Sequence, residues 1–200
     1  MRKMRNYISV AIMILASFSL SAQSLSKEDN EAINQRFEQF LTSTTNQEFE
    51  KVLGYLHPKQ FEASSNIDLK EMAQLLRLMK IKLEIGATEV GKLNALSNQG
   101  DDKYALADYL LDMRLTLNEQ NKAFADQIIG GLKSQFGSDN ISYDASKYLI
   151  TAKGKKYVIW VKEKALGNDW YLVDFDPKSP KTWKEIIPEK VLNEASVKTK

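Results

Sequence analysis

From Ala105 onward every second residue is apolar: Ala105, Ala107, Tyr109, Leu111, Met113, Leu115 and Leu117. Successive side chains of a strand point to opposite faces, so seven apolar residues at period two predict one long strand with a buried face. The competing helix reading rests on the good helix propensity of Ala, Leu and Met. The same alternation runs through Ile81, Leu83 and Ile85, with Lys82 and Glu84 between. Gly86 and Gly91 then predict a bulge or bend in a long strand. The polar stretch Ser97 to Asp102 predicts the turn between the two long strands.

Helices are expected before these strands. Ser26 with Asp29 has the spacing of a capping box, and Ile33, Phe37, Phe40 and Leu41 follow as one apolar stripe. The run Thr42 to Thr45 breaks it. Thr45 with Glu48 repeats the cap signature ahead of Phe49, Val52, Leu53 and Leu56, and His57-Pro58 ends that helix because the residue before proline is pushed out of the helical region. A third helix is expected from Asp68 to Met79. After the long strands, Asn118 to Phe136 returns to helical spacing, with Gly137 as a natural C-terminal cap. The last third reads as short strands: Ile141–Asp144, Tyr148–Ala152, Lys156–Val161 and Trp170–Phe175. Lys153-Gly154-Lys155 and Gly167-Asn168-Asp169 are expected as turns, the first of them a basic hairpin tip. Pro180 to Ile187 is expected as a closing helix stopped by Pro188, with a loose tail from Ser196 to Lys200. Helices first, then antiparallel strands with one further helix inserted, define an α+β domain over residues 23–195.

The N-terminus has a different grammar. Arg2, Lys3 and Arg5 precede an apolar run of 14 residues, Tyr7 to Leu20, and a small-residue stretch that ends at Ala22. This is the pattern of a cleaved secretory signal over residues 1–22. The run is shorter than the ~20 apolar residues that span a bilayer, so no membrane span is expected after cleavage. The chain has no cysteine, which excludes disulfides and attachment of a lipid to a cysteine at the cleavage site. An exported chain free of cysteine suits a bacterial periplasm or secretion from the cell. Cleavage removes three of the 28 basic residues and none of the 26 acidic ones, which leaves a mature net charge of −1. That charge offers no field to attract nucleic acid.

Three stretches resemble exported bacterial members of the nuclear-transport-factor-two-like superfamily, also called cystatin-like. They are Phe49 to Phe61, with its His57-Pro58 and following aromatic; the long hairpin around Ser97 to Asp102; and Asp169 to Asp174 followed by Trp183 to Glu189. The resemblance implies a cone-like domain, in which N-terminal helices pack in the concave side of a strongly bent antiparallel sheet with a pocket at the open end. It implies no single function, because the superfamily holds isomerases, dehydratases and non-catalytic binding domains.

Candidate chemistry is sparse. A single histidine, His57, and no cysteine leave no metal cluster and no cysteine–histidine pair, and no cofactor motif is present. His57 is expected at a helix end, where its partial positive charge suits the helix dipole. Asp108 and Asp112 share one side of the long strand and are candidate general bases, with Tyr109 or Tyr104 as donors to a developing oxyanion. Trp160, Trp170 and Tyr171 are candidate ligand-binding aromatics, and Trp160 and Trp170 are also natural core residues. Asp174 and Asp176 lack the ligand count of a calcium loop. The expectation is an exported, soluble, non-catalytic domain that binds a small molecule, a glycan or an envelope protein. The alternatives are a cofactor-free lyase or isomerase that uses a pocket carboxylate, and a homodimer-forming structural protein.

Overall fold

A computed structural model describes residues 24–62, 81–85 and 89–200. The expected signal segment, the helix from Asp68 to Met79 and Gly86 lie outside the described residues. Helix α1 spans Lys27–Thr45, α2 Phe49–Leu53 and α3 Lys59–Glu62. Strands β1 (Lys82–Ile85), β2 (Glu89–Val90), β3 (Asn94–Gln99) and β4 (Asp102–Thr116) follow, then helix α4 (Ala125–Phe136). Strands β5 (Ile141–Asp144), β6 (Leu149–Lys162) and β7 (Trp170–Phe175) precede the last helix, α5 (Glu189–Lys198). The domain is α+β, and the seven strands among the described residues make one open antiparallel sheet with helices packed against it.

The two longest strands are its axis. β4 and β6 pair without a register break from Lys103↔Lys162 to Thr116↔Leu149. On the far side of β4, the strands β1, β2 and β3 pair in succession, as one interrupted strand. Gly91 lies in that interruption, with its N–H donating to Asp108 O at 2.7 Å. A Cβ there would sit 2.3 Å from the Asp108 carboxylate, so a larger residue at this position would have to displace that side chain. On the far side of β6, β5 pairs with residues up to Ala152 and β7 begins at Tyr157.

Period-two alternation sorts the core onto two faces. Ala105, Ala107 and Tyr109 of β4, Val158 and Trp160 of β6, and Trp170 and Leu172 of β7 meet Ile33 and Phe37 of α1. The opposite parity, Tyr104, Leu106, Ile159, Val161, Val173 and Phe175, meets Val191, Leu192 and Ala195 of α5. Helix α4 packs through Ala125, Ile128 and Leu132 against Ile150 and Leu117. Ile150, Gly154 and Trp160 have one parity in an unbroken strand, so α1 and α4 lie on the same face of the sheet.

Several local expectations need correction. Lys153-Gly154-Lys155 is the middle of β6 rather than a hairpin tip. Its glycine answers to packing, since a Cβ on Gly154 would lie 3.2 Å from the Phe136 ring. The threonine run does not break α1, because Thr44 and Thr45 donate their hydroxyls to the carbonyls of Phe40 and Leu41 and the helix continues to Thr45. Glu48, not Thr45, precedes α2. Pro180–Trp183 is a single 3-10 turn. Pro188 caps the start of α5 instead of stopping a helix, and the expected tail from Ser196 includes the last turn of α5.

Candidate functional site

The edge of the sheet is open between β5 and β7. Among the described residues, 153–156 of β6 have no neighbouring strand there, and a cavity of about 560 Å³ lies against them. Its walls include Phe136 at the end of α4, Lys155, Lys156 and Tyr157 of β6, and Asp174, Asp176 and Lys178 at the end of β7. Lys156 reaches across the mouth, 3.7 Å from Asp174 Oδ1, and its ammonium lies 5.1 Å from the Phe136 ring centroid. Burial raises the Asp174 carboxyl above its ordinary value, and Lys156 offsets that only in part. With 54 % of its side chain exposed, Asp174 keeps water as a partner. Lysines along an unpaired strand edge also discourage pairing with another chain.

A second polar cluster surrounds Arg36 of α1. Its guanidinium lies between the rings of Tyr55 and Tyr171, 5.3 and 5.4 Å from their centroids. One terminal nitrogen donates to Gly54 O at 2.9 Å, and the other is 3.8 Å from Asp169. A cavity of about 230 Å³ opens between this arginine, Lys162 and Trp170. Close by, the buried Asp29 carboxylate accepts from Lys103 at 2.7 Å and Lys162 at 3.1 Å. Burial raises its pKa, but the bonds from both lysines and Ser26 outweigh that and hold it at about 2.

The expected site residues are scattered. Asp108 and Asp112 do share a face, and each is held by a lysine at 2.7 Å, Lys155 and Lys153 respectively. Tyr109 has the other parity and is buried under Phe37, with ring centroids 5.1 Å apart, so the sheet separates it from both carboxylates. Tyr104 is buried on the α5 face, and burial, with the charges of Asp102 and Glu163, pushes its hydroxyl up to about 12. Trp160 is wholly buried among core side chains. Trp170 is 1 % exposed yet lines the smaller cavity, and Tyr171 flanks Arg36.

His57 is not at the C-terminal end of a helix but just ahead of α3, whose first residues, Lys59 and Gln60, donate their N–H groups to it. Helix α2 stops at Leu53, and the segment that follows lies along β7: His57 N donates to Leu172 O at 3.1 Å, and Leu172 N donates to Tyr55 O at 2.8 Å. The fully buried imidazole accepts from Lys59 N on Nδ1 at 3.3 Å, which leaves the ring proton on Nε2 for Glu163, 3.2 Å away. Among the described residues no group of three His, Asp or Glu side chains is placed to hold a metal ion. No helix among them is long and apolar enough to cross a membrane.

Sequence reading missed Arg36, placed Lys156 with Lys153 and Lys155 in a solvated basic hairpin tip rather than within β6, and gave Asp174 no role beyond a turn. For two of them a signal existed. Lys156 has the parity of Val158 and Trp160, and Asp174 that of Trp170 and Leu172, so each is a charge on the buried side of an alternating strand. Arg36 sits beside, not within, the apolar stripe of α1, and nothing local marks it. No protein-family model matches the sequence, and no curated protein does.

Proposed function

We propose that this chain is an exported, non-catalytic binding domain of the nuclear-transport-factor-two-like kind, its sheet bent around its N-terminal helices. On this reading the ligand is a small polar molecule held at the gap between β5 and β7. The observation that carries it is the cavity of about 560 Å³ where β6 loses its neighbour. There, main-chain groups without a strand partner among the described residues lie next to Lys156 and Asp174, a donor and an acceptor on one wall, as in a site that fixes a polar ligand with a few placed groups. The ion pairs at Asp108 and Asp112 favour binding over catalysis, because a carboxylate committed to an ammonium at 2.7 Å is a poor general base. The order of helices, long hairpin and last strand supports the superfamily reading, and the basic and apolar pattern of residues 1–22 supports export to the periplasm or beyond.

Native mass spectrometry of protein isolated from the envelope tests the binding reading. The expected spectrum shows a bound small molecule on the wild type, lost in Lys156→Gln. A ligand-free wild type, or turnover abolished by Asp174→Asn, would refute a non-catalytic binding role.

A further inference from the structure

We propose that the cavity between α1 and the Gly167–Asp169 turn is a second site, which takes a carboxylate group. Arg36 Nε and Trp170 Nε1 are both buried, and neither N–H has an acceptor among the described residues. The two side chains line the same cavity of about 230 Å³. A buried donor left unpaired costs ~1–3 kcal/mol, so two of them in one small cavity mark a place where an acceptor belongs. The arginine is held for the purpose: two tyrosine rings flank it, and its bond to Gly54 O fixes the plane of the guanidinium and hence the direction of Nε–H.

The charge around the cavity selects an anion. Lys162 is a second cation beside Trp170, its ammonium 5.7 Å from the indole, although Asp29 already takes part of that charge. Asp169, the carboxylate in the lining, is 65 % exposed and 3.8 Å from the guanidinium, so water screens it. A carboxylate brings two acceptor oxygens, one for each of the two unpaired N–H groups. A phosphate brings more oxygens and more charge than these donors satisfy, and its desolvation would go uncompensated. At about 230 Å³ the cavity is roomy enough for a small organic acid or the last residue of a peptide. This site is separate from the gap between β5 and β7 and does not depend on the function proposed there.

The test is an NMR titration of the ¹⁵N-labelled full chain with sodium acetate, against sodium chloride at equal ionic strength. The indole N–H of Trp170 and the Nε–H of Arg36 should move downfield together along one binding curve, while the indole of Trp183, on the α5 face, stays still. Trp170→Phe keeps the ring and removes the donor, and should weaken acetate about tenfold. Asp169→Asn removes the competing carboxylate and should tighten it. A peptide with a free C-terminus and its C-terminal amide separate the two sources: the free acid binding more tightly than acetate assigns a chain end, and the reverse order assigns a free organic acid. Cross-peaks that ignore acetate, or that move equally with chloride or with uncharged acetamide, overturn the proposal. The wild-type titration decides this even where a variant fails to fold.

Discussion

Asp29 stands at the start of α1, three residues after the capping Ser26, whose Oγ accepts the Asp29 N–H at 3.0 Å. There its carboxylate faces the favourable end of the helix dipole and also ties α1 to β4 and β6 through Lys103 and Lys162. Its folded pKa of about 2 lies below the ordinary aspartate value of 3.8, so the unfolded chain takes up this proton first as pH falls. The stabilisation is therefore complete above about pH 4 and is lost as pH drops towards 2. Lys103 is 41 % exposed, and solvent screening reduces the effect to about 1–2 kcal/mol. Urea denaturation across that range should show wild-type stability falling more steeply than that of Asp29→Asn. Parallel profiles would mean that the carboxylate contributes nothing through its charge. The cap itself was legible from Ser26 and Asp29, because capping is a contact between near neighbours. The lysines were not, because they come from positions 74 and 133 residues further along the chain, and only the sheet brings them together.

At the scale of elements, alternation was the most dependable guide: the period-two runs from Ala105 and from Ile81 fall on the strands β4 and β1. Punctuation was less dependable, since the same residue serves different ends. Gly154 between lysines has the composition of a turn, but it is small because α4 crosses β6 at Phe136. Pro188 could end one helix or begin another; with Val191, Leu192 and Ala195 buried after it, it begins one. Gly154→Val separates the two accounts of that glycine. A hairpin tip would absorb the substitution, whereas in a continuous strand the valine drives into the Phe136 ring and overpacks the site by about 1–3 kcal/mol, offset in part by its better strand propensity. A net loss of stability in urea, relieved when Phe136→Ala is added, is the expected result. Full stability of the single variant would show that α4 yields freely at that crossing.

Across the whole molecule, the two candidate sites are places where elements fail to meet, one where β5 and β7 leave β6 uncovered and the other where α1 stands off from the turn before β7. Periodicity describes what each element buries and says nothing of the spaces between them, so neither cavity could be read from sequence even though Lys156 and Asp174 carried a trace of one. The proposed export acts on the molecule as a unit. Leu25 packs against the α1 core, and a cut after Ser21 or Ala22 falls just upstream of it, so cleavage leaves the described core intact. It also changes the sign of the chain, from a net charge of +2 to −1 with the loss of Arg2, Lys3 and Arg5. Protein recovered from the envelope should begin at Ala22 or Gln23 and migrate towards the anode at pH 7, whereas the full-length chain migrates towards the cathode. Its urea midpoint should equal that of the full chain, because the described core is assembled from Leu25 onward. An intact Met1 on envelope protein would contradict export by cleavage, and a lower midpoint after removal of residues 1–22 would show that the segment is part of the folded domain.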